Sequence, residues 1–133
     1  KVAALSEIYG IGDNFAAVLT REVFYRHFGN RKQLASYVGL APMPHQSGNV
    51  DRDRRIGRAG NARARKTLVQ AAWLWLRYQQ KSELAVWFYQ RVGDLKGRAR
   101  RIAIGAMARK LLIALWRYTE NGEIPVGAVL RAA

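Results

Sequence analysis

Residues 61–80, NARARKTLVQAAWLWLRYQQ, decide the fold class of this chain. Leu68, Ala72, Trp75 and Leu76 recur at the three- and four-residue spacing that lines one face of a helix, and Asn61 stands where an N-cap belongs. Toward the C-terminus the same reading continues. Ser82 caps a helix over 83–92 that carries Leu84, Trp87, Phe88 and Val92. Residues 93–97 make a turn. A last long helix covers 98–119, with Ile104, Ala108, Leu111, Leu112 and Leu115 inward. Asn121 and Gly122 end it, and Pro125 begins a tail.

Toward the N-terminus, Leu34, Tyr37 and Val38 share one face of a short helix over 31–38, with Asn30 as its cap. Residues 1–28 read as helical, with a break at Gly10, Ile11 and Gly12, and Asp13 or Asn14 caps the segment after it. Pro42 and Pro44 exclude a regular helix between 39 and 60, and Gly48, Gly57 and Gly60 punctuate the rest. That leaves a long Gly/Pro/Arg-rich loop, with a short ribbon at 50–56 as an option. No repeat is evident and no strand signal is strong. The expectation is one compact all-α domain over 1–133: a helix-hairpin-helix-like opening (1–28), the loop (39–60), a helical bundle (61–119) and a tail (120–133).

Half of the 133 residues are hydrophobic, enough for a core. The 23 Lys and Arg against 9 Asp and Glu leave a formal net charge of +14, which calls for a polyanionic partner, nucleic acid before a membrane surface. There is no cysteine, so neither a disulfide scaffold nor a thiolate metal site is open to it. No apolar run approaches the roughly 20 residues of a membrane span, and no signal peptide is visible. A reducing cytoplasm suits this composition. The chain starts at Lys1 and its first motif follows at once, so it reads as a fragment of a longer protein.

Two motifs carry chemistry. The first is Ile8, Tyr9, Gly10, Ile11 and Gly12, with Ala16 four residues after Gly12. It resembles the hairpin of helix-hairpin-helix DNA-binding proteins, although Tyr9 stands where proline is usual. Gly10 and Gly12 permit a tight turn whose exposed N–H groups can donate to a phosphate oxygen, Ile11 would plug the hairpin into the core, and Ala16 lets the helices approach. An ordinary helix–turn–helix connection has the same look.

The second is the loop itself. Ser47 lies two residues after His45, and Arg52, Arg54, Arg55, Arg58, Arg63, Arg65 and Lys66 then place seven cations within the fifteen residues 52–66. A serine on a flexible loop beside fixed positive charge suits phosphodiester chemistry, with His45 as a candidate base. It equally suits a loop that only grips phosphates, and taken alone Ser47 reads as a turn residue. Asp51 and Asp53, flanked by arginines, read as ion-paired rather than as metal ligands.

The pattern LASYVGLAP at 34–42, HQSG at 45–48 and IGRAGN at 56–61, followed by Arg63 and Arg65, resembles the C-terminal domain of insertion-sequence transposases of the family usually called IS one-ten. Gly10, Ile11 and Gly12, and then Arg21, Glu22 and Val23, fit it as well. The resemblance covers residues 5–80. It implies a site-specific DNA recombinase in which a RuvC-like domain with four acidic residues, absent from this chain, binds Mg²⁺. It further implies a bridge RNA that selects the DNA, a multimeric enzyme, and a serine at the position of Ser47 that forms a phosphoserine link. Arg54, Arg55 and Arg58 are then the candidate phosphate clamp. The partners so implied are DNA, a guide RNA and further copies of the protein. Without the carboxylate set the fragment is expected to bind nucleic acid but not to recombine it. A non-catalytic binding module, or a platform for the guide RNA, remains the alternative. Trp73, Trp75, Tyr78, Trp87, Phe88, Tyr89, Trp116 and Tyr118 are expected mainly in the core or at an interface, with base stacking as the other use.

Overall fold

A computed structural model describes residues 2–40, 61–93 and 96–130. The described residues fold as an all-α unit of six helices: α1 (Val2–Ser6), α2 (Asp13–Leu19), α3 (Arg31–Val38), α4 (Ala62–Tyr78), α5 (Glu83–Val92) and α6 (Gly97–Asn121). α2 runs on into a π-helical turn, Thr20–Phe24.

α4 and α6 form the centre, because each carries the apolar stripe that periodicity predicts. Leu68, Ala71, Ala72 and Trp75 face Met107, Ala108, Leu111 and Leu115, all fully buried. α5 packs on α6 through Phe88 and Val92. α2 packs on α4, and α3 lies against α6. Each large apolar side chain withdrawn from water contributes about 1.5–3 kcal/mol, and Trp75, Phe24 and Phe88 are the largest fully buried ones.

Side-chain caps form where the sequence places them. Asn30 accepts from Gln33 N, Asn61 from Ala64 N, and Ser82 from Ala85 N. The Ser82 hydroxyl does more: it accepts from Trp75 Nε1 at 2.8 Å and donates to the Gln79 carbonyl at 2.6 Å, locking α4 to α5 inside the core.

The N-terminal region departs from expectation. The break expected at Gly10, Ile11 and Gly12 is present, but the helices on either side of it are shorter than a helical reading of 1–28 requires: a five-residue α1, and α2 with its π turn ending at Phe24. Gly12, in extended conformation, is the N-cap of α2, so Asp13 and Asn14 lie inside its first turn and neither caps it. Val23 and Phe24, at the end of the π turn, are both buried. The tail is built in as well. Gly127, at φ +78°, lies so close to the Lys81 carbonyl that an added Cβ would sit 2.9 Å from it. Val126 O accepts from Glu83 N, and Leu130 bridges to Ile8.

Candidate nucleic-acid interface

Gly10 and Gly12 lie in the connection between α1 and α2. Gly10 turns the chain at φ +96°, against Tyr78 at the C-terminal end of α4. A Cβ at Gly10 would meet Tyr78 Cβ at 3.0 Å, whereas one at Gly12 meets nothing within 4 Å. The expected core plug is present: Ile11 and Ala16 are both fully buried. Tyr9, Gly10, Gly12, Leu74 and Tyr78 line a shallow concavity, and Tyr9 meets Tyr78 edge-on at 5.2 Å. Asp13 opens α2 there, and an acidic residue in the first turn of a helix competes with a phosphate for its positive end.

The connection is held by a residue with no local signature. Gln79 is 1% exposed. Its Nε2 donates to Tyr9 O at 2.6 Å and to Val129 O at 2.9 Å, and its Oε1 accepts from Val129 N at 2.8 Å. Tyr9 N in turn donates to Val129 O at 3.0 Å. One buried amide thereby fastens the hairpin and the tail to the end of α4.

At the other end of α4 lies the root of segment 41–60. Ser47, His45, Asp51, Asp53, Arg52, Arg54, Arg55 and Arg58, and the optional ribbon at 50–56, lie outside the described residues. The flanks of the segment are described, and they come together: Asn61 N donates to Tyr37 O at 3.0 Å. The Asn61 side chain donates to Glu22 O and Glu22 Oε2, both at 3.2 Å, while its Oδ1 caps α4. Arg63 and Arg65, expected on phosphate, are engaged in this closure. Arg63 pairs with Glu22 at 3.5 Å, although 74% exposed, and Arg65 Nη1 donates to Val38 O at 3.4 Å. Lys66 is exposed one residue on.

Beside the root, Tyr25 Oη and Tyr37 Oη stand 3.5 Å apart, and the Arg26 guanidinium lies over the Tyr37 ring at 4.6 Å and the Phe28 ring at 5.6 Å. The Tyr25 hydroxyl above all, and then the Asn61 amide and Arg26, hold the Tyr37 phenol below its ordinary range against the opposing pull of burial. Tyr25 moves the other way, chiefly through the same hydrogen bond. The sequence reading missed this cluster, and Tyr37 was marked only as a core position of α3.

The hairpin and the root are separated by the length of α4, 17 residues, or about 25 Å. About seven base pairs of B-form duplex would span that distance. A third cationic surface lies between α4, α5 and α6. Arg100 stands over Trp73 at 5.3 Å and Phe88 at 5.8 Å, and Lys110 over Trp87 at 4.8 Å. Trp73 and Tyr89 are exposed there and Tyr78 is exposed at the hairpin, while Trp75 and Phe88 are core, Tyr118 is buried, and Trp87 and Trp116 are half-buried. Among the described residues no three carboxylates or imidazoles come together as metal ligands, and no helix is long and apolar enough to cross a membrane.

The profile of the family described as Transposase IS116/IS110/IS902 matches residues 2–86. A protein of Sinorhizobium fredii (strain NBRC 101917 / NGR234), "Putative transposase y4rJ", is 52% identical over 130 residues, which are 97% of this chain and 33% of that protein. The chain thus spans about a third of the length of the curated relative it matches. No solved structure matches.

Proposed function

The chain belongs to the IS116/IS110/IS902 family of transposases, and on that premise we propose that it is the domain through which a longer DNA recombinase engages DNA and supplies its serine nucleophile. The Ser47 oxygen attacks phosphorus, the bond from phosphorus to the deoxyribose oxygen breaks, and a phosphoserine link holds the strand. The serine proton passes to a base and the departing sugar oxygen takes one up. Charge gathers on the phosphoryl oxygens in between, and Arg54, Arg55 and Arg58 stabilise it. A serine hydroxyl is a weak nucleophile without such help. In this reading Mg²⁺ is held by carboxylates of a RuvC-like part of the longer protein.

The observation that supports this reading most is the closed root of segment 41–60. Tyr37, Val38, Glu22, Asn61, Arg63 and Arg65 bond to one another across it, which keeps a serine-bearing segment tied to a rigid base. The test is Ser47→Ala in the full-length protein, with covalent protein–DNA adducts read on a denaturing gel. The adduct disappears and duplex affinity stays; an adduct that persists refutes Ser47 as nucleophile.

The arginines and tryptophans shared by α4, α5 and α6 favour a second role, a platform for structured RNA. Affinities for a structured RNA and for duplex DNA, compared at one salt concentration, separate the two uses. Assembly into a homo-oligomer is part of the proposal for the longer protein and is read by its mass in solution.

A further inference from the structure

The cluster at the root of segment 41–60 has unspent chemistry. Tyr25 and Tyr37 join in one hydrogen bond in which either hydroxyl can donate. Whichever oxygen accepts keeps its own O–H for a further acceptor. Among the described residues no other side chain takes that proton. At 3.5 Å the phenol pair is also longer than a good O–H···O bond, so little is lost if Tyr25 turns to another acceptor.

Arg26 is placed in a complementary way. Two ring faces hold its guanidinium, and among the described residues no carboxylate is within ion-pair distance of it. A stacked guanidinium keeps its in-plane N–H donors. Glu22, the acid nearest the cluster, is occupied by Arg63 and Asn61. Tyr25 is 62% exposed, Arg26 is exposed and Tyr37 half-buried, so a ligand reaches all three.

We propose that Tyr25, Arg26 and Tyr37 form a seat for one phosphodiester of a nucleic-acid backbone, with Arg26 supplying the charge and the two phenols the directed hydrogen bonds. The seat adjoins the root of the segment that carries Ser47, about 25 Å from the hairpin. It rests on the reading that this domain engages nucleic acid, and it is independent of whether Ser47 is the nucleophile.

The test is fluorescence anisotropy of a labelled random-sequence DNA duplex, titrated with the full-length protein over a range of KCl and pH. Tyr37→Phe keeps the ring against Phe28 and Arg26 but weakens binding about fivefold, with the salt slope unchanged. Tyr25→Phe, at an exposed position that leaves the core untouched, weakens it in the same sense. Arg26→Ala lowers the slope of log affinity against log salt by about one unit. Wild-type affinity falls in alkaline solution as the Tyr37 phenol ionises among Glu22, Tyr25, Arg26 and Arg63, and that step is missing in Tyr37→Phe. The same titration with duplex RNA assigns the seat to whichever backbone loses affinity. If the three variants bind as wild type while the protein still binds duplex, the seat is refuted and the wider reading stands. A protein that binds neither duplex at low salt refutes both.

Discussion

Replacing Gln79 by alanine removes the joint between hairpin, tail and α4. The amide makes three hydrogen bonds, two donated to Tyr9 O and Val129 O and one accepted from Val129 N. Val129 O keeps a partner in Tyr9 N, so the groups orphaned are the Tyr9 carbonyl and the Val129 N–H. Each unsatisfied group costs about 1–3 kcal/mol when buried. Val129 is 55% exposed, so water reaches that side and the lower end applies. With the small cavity left by the side chain, the sum is about 3 kcal/mol. For a domain of this size that lowers the melting temperature by about 10–15 °C. Circular dichroism melts measure the loss, and hydrogen exchange at Val129 locates it. Gln79→Glu restores the acceptor for Val129 N–H but turns a carboxylate toward two carbonyls, so it does not rescue. A variant that melts within about 3 °C of wild type, with Val129 as protected as before, would show that water or a rearranged tail replaces the amide and that the joint is not what holds the hairpin.

Three further outcomes follow from named contacts. Asn61→Ala removes the α4 cap and the tie to Glu22, lowering stability by about 2 kcal/mol in urea titration, and Asn61→Ser, which keeps a cap, recovers about half. Gly10→Ala, at φ +96° and 3.0 Å from Tyr78 Cβ, costs about 1–3 kcal/mol, whereas Gly12→Ala leaves the melting temperature unchanged and weakens duplex binding if a phosphate approaches there. Tyr118 has its pKa raised by burial first and then by Glu7, whose Oε2 accepts from its hydroxyl at 3.4 Å. Its contribution is complete below the unfolded value of 10.0 and is lost as pH rises through the higher folded value, so Tyr118→Phe flattens the alkaline fall of stability seen by denaturant titration.

The helices that lie in one sequence window were legible, and the joints between windows were not. The expected 31–38 and 83–92 coincide with α3 and α5, and 61–80 and 98–119 differ from α4 and α6 by a residue or two at each end. Leu68, Ala72, Trp75 and Leu76, and Ile104, Ala108, Leu111, Leu112 and Leu115, are buried as their spacing requires. Periodicity reports a helix's own register and nothing else. Gln79 acts on residues 50 and 70 positions away, and such a bond leaves no local pattern. The bonds of Arg63 and Arg65 to Glu22 and Val38 O leave no local pattern either, because those partners are remote in sequence. Tyr37 was read by its place on one helix face, which does not reveal that its hydroxyl pairs with Tyr25.

The distribution of cations bears on what the domain is for. With 23 Lys and Arg against 9 acids, ion pairing cannot neutralise this surface, whatever its geometry. Among the described residues, Arg26, Arg77, Arg91, Arg100 and Lys110 instead lie over aromatic rings. The two arrangements differ in their consequence. A carboxylate fixes an arginine and cancels its charge; a ring face fixes it and leaves the charge in place. Glu22 takes the first course at the root, where Arg63 and Asn61 have a structural task. Elsewhere the rings hold cations in order while the field of a net charge of +14 stays available to a polyanion. If the domain engages nucleic acid as proposed, side chains already ordered by stacking lose less entropy on meeting phosphate, and counterion release is offset by little ordering. The exposed aromatic residues of α4 and α5 thereby serve the charge of the domain as much as its core.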